Sequence, residues 1–275
     1  MYQIIACDLD ETLLRRDKTI SDKDKASIQK AMACGVKFVP ATGRGYMSVE
    51  STLRELGMYE EPGQYVISFN GGAITENRGN RLLHFQGIPF ELAEEFFRRG
   101  MDLDVCIHIY TKETVYVYNF VPEEVEYLKG RMEVTEFFDK NLDFLRGQEI
   151  VKCLYMSTDN AYMEKIRERV SDLLDTVDLS YSSNRYIEFN QKGVTKGDGL
   201  RRLAEMLGVD MADTIAIGDN FNDLPMIRAA GLGVGVANTV EAMKPMCDHI
   251  TAATCQESAV SEVIEQYIFE QKTLR

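Results

Sequence analysis

The chain has 275 residues, and its 44 aspartates and glutamates outnumber its 31 lysines and arginines, which gives a formal net charge of −13. A protein whose main task is to bind DNA or RNA, or to lie on an anionic membrane surface, needs the opposite imbalance, so both classes are disfavoured. Hydrophobic residues make up 45% and charged residues 27% of the sequence, as in an ordinary globular protein. The length suits one large domain or two modest ones.

The sequence also predicts a location and a redox state. No apolar run approaches the roughly 18 residues of a membrane helix. The start, MYQIIACDLDE, lacks the basic segment and long apolar region of a signal peptide. The six cysteines form no C-x-x-C pair, which indicates reduced thiols, and the three isolated histidines argue against a zinc site. We therefore expect a cytoplasmic protein with no membrane or nucleic-acid partner, either a monomer or a homodimer.

The first third of the chain alternates predicted strands and helices. Short apolar runs predict strands at residues 2–7, 36–40 and 65–69. Between them, helices are predicted from the capping-box-like start at Ser21 to Gly35, and over residues 46–56. Strands and helices that alternate at this spacing are typical of a parallel sheet with helices on both faces.

The middle of the chain follows a different pattern. Hairpins are predicted at 106–118 and 179–189, with a strand at 151–156 and a helix at 161–174. Alternation then resumes with helices at 197–207 and 224–230, strands at 214–217 and 232–236, a helix from residue 240 and a last helix at 257–269. We interpret residues 85–189 as a smaller α+β domain inserted into a doubly wound α/β core that consists of residues 1–84 and 190–275.

Polar motifs follow the ends of the predicted core strands. DLDET follows the first strand, ATGR the second, and GDNFND the strand at 214–217, while Lys196 stands at a helix start. Open parallel sheets bind ligands at these strand ends. Carboxylates that share one crevice repel one another, which makes their ionised forms costly. Mg2+ binds oxygen ligands, commonly one or two carboxylates together with substrate phosphate, and would remove that repulsion. With a lysine and loop amides nearby, such a set of groups suits phosphoryl transfer.

DLDET, ATGR, Lys196 and GDNFND, in that order, resemble the four motifs of the haloacid dehalogenase superfamily of phosphatases. The insertion between the second and third motifs resembles the C2-type α/β cap of the Cof-type branch, and FNGG at residues 69–72 is similar to that branch too. The resemblance implies a Rossmann-like core and a cap that opens and closes over the site. Glu11 departs from the glycine of many relatives, although the superfamily tolerates acids there.

The resemblance implies a role for each motif residue. Asp8 would be the nucleophile that forms an aspartyl phosphate, and Asp10 would protonate the leaving alcohol and then activate water. Mg2+ would be held by Asp8, by the backbone carbonyl of Asp10 and by Asp219. Asp223 would be either a further ligand or a residue that contacts the ligands without binding the ion itself. The residues that would hold the phosphoryl oxygens are Thr42, Gly43, Lys196 and Asn222.

Several alternatives stay open at this point. Lys196 could be a solvated lysine, Arg44 could contact the substrate or pair with an acid, and Asp219 and Asp223 could cap the following helix. The predicted function is that of a phosphoric monoester hydrolase, a Mg2+-dependent phosphatase of small phosphorylated metabolites such as sugar phosphates. The alternatives are a phosphomutase that uses the same aspartyl phosphate and a non-enzymatic, receiver-like Mg2+-binding module.

Overall fold

The computed structural model describes residues 2–270, which form two compact units: residues 2–85 with 195–270, and Gln86–Val194. The elements of the first segment are β1 (Ile4–Cys7), α1 (Asp22–Ala33), β2 (Lys37–Pro40), α2 (Glu50–Leu56), β3 (Tyr65–Ser68), β4 (Ala73–Glu76) and β5 (Arg81–Phe85). Strands β1 and β2 pair in parallel, whereas β3, β4 and β5 form an antiparallel sheet. The hydroxyl of Ser21 caps α1, because it accepts a hydrogen bond from the backbone N–H of Asp24.

The second unit is a sheet covered by helices. Its elements are α3 (Phe90–Asp102), β6 (Cys106–Thr111), β7 (Val115–Tyr118), α4 (Pro122–Leu128), β8 (Thr135–Glu136), β9 (Ile150–Met156), α5 (Asn160–Arg169), β10 (Val177–Ser182) and β11 (Tyr186–Gln191). The strand order is β10-β11-β9-β6-β7-β8, and all neighbours but β7 and β8 are antiparallel. Ile107 and Tyr155 of the sheet share a core with Phe96 of α3 and Ile166 of α5. This unit therefore has the α+β composition that the sequence predicts.

The chain then completes the first unit. The remaining elements are α6 (Lys196–Leu207), β12 (Thr214–Gly218), α7 (Leu224–Ala229), β13 (Leu232–Gly235), β14 (His249–Ile250) and α8 (Ala259–Ile264). The central sheet has the order β14-β13-β12-β1-β2, and every pair in it is parallel. Adjacent residues of β1 enter different cores: Ile5 packs with Ile28 of α1 and Val260 of α8, and Ala6 with Leu200 of α6. Helices cover both faces, so the predicted doubly wound parallel core is confirmed.

Several predicted helices differ from the structure. The helix predicted at 161–174 ends as α5 at Arg169 and is followed by a 3-10 turn at Ser171–Thr176, and the helix predicted at 46–56 begins with a 3-10 turn at Tyr46–Val49. The helix expected from residue 240 is wrong, because only a short 3-10 turn forms at Lys244–Met246, where Pro245 lacks the N–H that a helix interior needs. The last helix begins as α8 and continues as a π-helix over Glu265–Glu270. Within residues 2–270, no helix has both the length and the apolar character of a membrane span.

Candidate active site

The parallel pairing of β1 with β12 places two acidic motifs at one edge of the sheet. Cys7 pairs with Ile217, and the backbone N–H of Asp8 donates to the Ile217 carbonyl at 2.9 Å. The two strands therefore end side by side. One carboxylate oxygen each of Asp8, Asp219 and Asp223 lies within 4.8 Å of the other two, and all three residues are buried. The structure thus brings together acids that the sequence places far apart.

Lys196 is the first residue of α6 and lies fully buried among these carboxylates. Its Nζ donates to Oδ1 of Asp8 at 2.5 Å and to Oδ1 of Asp223 at 2.6 Å. A cation opposes the dipole at a helix N-terminus, and the two ion pairs offset that cost. The side chain has 0% exposure, so the alternative of a solvated lysine is wrong.

Asp223 shapes the GDNFND loop through hydrogen bonds to the backbone of that loop. Its Oδ2 accepts hydrogen bonds from the backbone N–H of Asp219 at 3.0 Å and of Asn220 at 3.1 Å, while Oδ1 faces Lys196. Although Asp223 directly precedes α7, its side chain makes no capping bond to that helix, so the capping alternative is wrong for Asp223. Oδ1 of Asp219 accepts a hydrogen bond from the hydroxyl of Thr12 at 2.9 Å.

Two glycines allow these segments to approach one another. A Cβ on Gly218 would lie 2.4 Å from the Cβ of Asp223, and a Cβ on Gly197 would lie 2.4 Å from the carbonyl oxygen of Pro225. The start of α6 therefore packs directly against the start of α7. A side chain at either glycine would displace Asp223 or the helix that carries Lys196.

The electrostatics of this pocket fit a divalent cation. Burial, together with the nearby charge of Asp223, raises the pKa of Asp8 to about 7. Burial and the charge of Asp8 raise the pKa of Asp219 to about 8. The single ammonium of Lys196 does not balance three carboxylates, so the ionised forms remain costly. Buried carboxylate oxygens at this separation are the donor set that Mg2+ takes, and binding the ion would remove the repulsion.

Asp10 does not belong to this group of three carboxylates. Its partly exposed carboxylate accepts hydrogen bonds from Nε of Arg44 at 2.8 Å, from Nη2 of the same residue, and from Nζ of Lys18 at 2.7 Å. Burial pushes the pKa of Asp10 upward, but the bonds from Arg44 and Lys18 outweigh it and hold that pKa below its usual value. Of the two alternatives for Arg44, the structure therefore shows the pairing with an acid.

Lys18 is a site residue that sequence reasoning missed. It occupies a tight turn in which its backbone N–H donates to the carbonyl of Arg15 at 2.9 Å, and its φ of 67° is unusual for a residue with a side chain. The sequence signal that could have identified Lys18 is a cationic residue in a short turn, eight residues after Asp10. Nothing in the sequence pattern indicates that the turn folds back onto DLDET.

The second motif lies in a loop after β2, in which Ala41 and Thr42 are buried while Gly43 and Arg44 are partly buried. The backbone N–H of Thr42 donates to the carbonyl of Ile67 at 2.9 Å, and its hydroxyl accepts from the backbone N–H of Arg44 at 3.1 Å. Gly43 follows in the same loop. Asn222 is partly buried and belongs to the GDNFND loop. That these residues hold phosphoryl oxygens stays a prediction.

Known proteins share this architecture over nearly the whole chain. The model of the haloacid dehalogenase-like hydrolase family matches residues 5–264. A Streptococcus pyogenes protein is 30% identical over 268 residues, which cover 97% of this chain and 98% of that protein. HMP-PP phosphatase of Serratia proteamaculans is 26% identical, covering 98% of this chain and 96% of its own. The crystal structure of a haloacid dehalogenase-like hydrolase from Bacteroides thetaiotaomicron has a TM-score of 0.82 and 28% identity, covering 97% of this chain and 99% of its own. The family predicted from the four motifs is therefore confirmed: the chain belongs to the haloacid dehalogenase-like hydrolases and is a phosphatase of that family.

Proposed function

We propose that the chain is a Mg2+-dependent phosphatase that hydrolyses small phosphorylated metabolites, sugar phosphates among them, through a phosphoryl group carried on Asp8. The observation that carries the proposal is the convergence of three buried carboxylates and the Lys196 ammonium in one pocket. A relative that covers the same length is named as a phosphatase of HMP-PP, which supports a small phosphorylated substrate. The excess of acidic residues also disfavours a polyanionic partner.

The residues around Asp8 are suited to holding a phosphoryl group. Because Nζ of Lys196 lies 2.5 Å from Oδ1 of Asp8, a phosphoryl group attacked by Asp8 would stay within reach of that cation. The loop of Thr42 and Gly43 would supply backbone N–H groups and a hydroxyl as further donors. Mg2+, held by the carboxylates of Asp8, Asp219 and Asp223, would neutralise charge that develops on the phosphoryl oxygens.

Hydrolysis then takes two displacements at phosphorus. A carboxylate oxygen of Asp8 forms a bond to phosphorus, the bond to the leaving alcohol breaks, and the alcohol oxygen takes a proton from Asp10. Water next gives a proton to Asp10 and attacks phosphorus, and the bond to Asp8 breaks to release phosphate. Because Arg44 and Lys18 hold Asp10 ionised, the first displacement requires these ion pairs to loosen when substrate enters and Asp10 to take up a proton from solvent; the attacking water of the second displacement then restores that proton.

Phosphate release from p-nitrophenyl phosphate tests this function. We expect turnover with Mg2+ that falls by more than about 100-fold with EDTA and returns when Mg2+ is restored, because the carboxylates need the ion to accept a dianionic substrate. In a panel of sugar phosphates, free phosphate should form rather than an isomerised sugar phosphate, which a phosphomutase would make. Equal turnover with and without EDTA would contradict the metal dependence, and an absence of phosphate release from every compound would contradict the hydrolysis.

A further inference from the structure

The FNGG sequence forms a turn with an unusual backbone conformation, and none of its residues takes part in the catalytic steps proposed for Asp8 and Asp10. Three consecutive residues have positive φ: Phe69 at 52°, Asn70 at 54° and Gly71 at 101°. Residues with a side chain rarely adopt this conformation, and two in succession are rarer. Such strain persists only where the surrounding structure enforces it, and it concentrates at functional sites. We call residues 69–71 the left-handed turn.

One side of the left-handed turn holds the loop of the second motif. The backbone N–H of Asn70 donates to the carbonyl of Thr42 at 3.0 Å, and that of Phe69 donates to the carbonyl of Arg44 at 2.9 Å. Gly43 lies against the Asn70 side chain, because a Cβ on this glycine would stand 3.2 Å from Oδ1 of Asn70. Gly45 similarly leaves room for the Phe69 ring, 2.8 Å from the position of its missing Cβ. The turn therefore contacts this loop at every residue from 42 to 45.

The other side of the left-handed turn contacts the start of α6. A Cβ on Gly71 would lie 2.1 Å from the carbonyl oxygen of Thr195, the residue that precedes Lys196. The same carbonyl oxygen accepts a hydrogen bond from the backbone N–H of Gly199 at 3.0 Å. A Cβ on Gly199 would in turn lie 3.0 Å from the Cα of Gly71. Here two backbones touch without any side chain between them, which leaves little freedom for one to slide along the other.

We propose that the left-handed turn is a positioning element that fixes the distance between the Thr42–Gly43 loop and Lys196. The inference rests on the proposed function, in which these two groups hold the same phosphoryl oxygens. Asn70 serves as the central residue, since its backbone bonds to Thr42 while its neighbour Gly71 abuts Thr195. The left-handed conformation sends the chain from one contact directly to the other within two residues. An extended or helical backbone at Asn70 would separate the two groups.

Substitutions that act on the backbone at Asn70 test the proposal. Glycine adopts positive φ freely, whereas β-branched valine strongly resists it. We expect Asn70→Gly to keep kcat/KM for p-nitrophenyl phosphate within about threefold, and Asn70→Val to lose about 100-fold, mostly in kcat, as for other small misplacements of catalytic groups. The inhibition constant of inorganic phosphate should rise in Asn70→Val and stay near the wild-type value in Asn70→Gly.

Asn80 provides a matched control. It has a φ of 47° in the turn between β4 and β5 of the same unit, so valine there imposes a comparable backbone strain, and its side chain contacts Met47 rather than residues 42–45. Asn80→Val should lose thermal stability as Asn70→Val does, yet keep wild-type kcat. Wild-type kcat in a folded Asn70→Val variant, or equal activity losses in the two valine variants, would overturn the proposal.

A second pair of variants keeps the test decisive if Asn70→Val does not fold. Gly45→Ala places a methyl group against the Phe69 ring, and Phe69→Leu in the same chain removes the ring atoms that it meets. The single variant should lose activity and the double variant should regain it, whereas no loss in Gly45→Ala or no recovery in the double variant would overturn the proposal. Wild-type turnover is measured alongside, so a failure of the proposed phosphatase function shows up separately as an inactive wild type.

Discussion

Asp8→Asn is expected to reduce phosphate release by about four orders of magnitude or more, since it replaces the carboxylate that attacks phosphorus with an amide, which is a very poor nucleophile. The variant keeps the shape of the side chain and an oxygen that can accept the hydrogen bond of Lys196. Because burial and Asp223 make the ionised form of Asp8 costly, the neutral amide should not destabilise the fold. Thermal melting in the absence of Mg2+ should therefore show an unchanged or higher midpoint.

The matched control for this loss is Asp22→Asn. Asp22 lies in the first turn of α1, and its side chain is 100% exposed, so the same chemical change occurs on the surface, outside the group of three buried carboxylates. Its kinetics should equal those of the wild type. Turnover of Asp8→Asn within tenfold of the wild type, with the protein folded and free of wild-type contamination, would contradict the nucleophile assignment.

Lys196→Gln should damage both activity and stability. The substitution leaves Asp8 and Asp223 buried without their cation, and breaking a buried ion pair in this way costs about 3–5 kcal/mol. Protonation of Asp8 limits that cost at low pH, so the loss of stability should be larger at pH 8 than at pH 6. Activity should fall by about 100- to 1,000-fold, as when a donor to a transition-state oxyanion is removed.

Urea unfolding and steady-state kinetics measure these two effects. Lys23→Gln is the matched control, since Lys23 is an exposed lysine of α1 in the same unit. It should change neither the free energy of unfolding nor kcat/KM. Activity of Lys196→Gln within threefold of the wild-type value would show that the assignment of Lys196 as a phosphate-binding cation is wrong.

The parallel core and the meeting of the acidic motifs were predictable because both follow from local patterns. Short buried runs separated by capped helices require a parallel sheet, and parallel strands end at one edge. Asp8 and Asp219 each stand directly after such a strand, so their approach follows from the pairing of β1 with β12. Asp8, the predicted nucleophile, and Asp219, a predicted metal ligand, could therefore be identified without knowledge of side-chain packing.

Features that depend on loops folding back in three dimensions were not predictable. The ion pair of Lys18 with Asp10 depends on the path of a short turn, and no periodicity encodes that path. The positioning role proposed for Asn70 could not be predicted either. The sequence FNGG is typical of an ordinary turn that ends a strand, and only its backbone contacts distinguish it. Pro245, by contrast, is a sequence signal against the helix predicted from residue 240, because proline lacks the N–H that a helix interior needs.

Titration calorimetry of Mg2+ against the wild type and Asp219→Asn measures whether acids from separate motifs form one divalent-cation site. We predict one ion per wild-type chain at pH 8, and weaker binding at pH 6, where protons compete for Asp8 and Asp219 with their pKa values of about 7 and 8. Asp219→Asn should lose more than about tenfold in affinity, while Asp22→Asn binds as the wild type does. Undiminished affinity in Asp219→Asn would show that Asp219 does not bind Mg2+ and that the acids of the two motifs do not form one site.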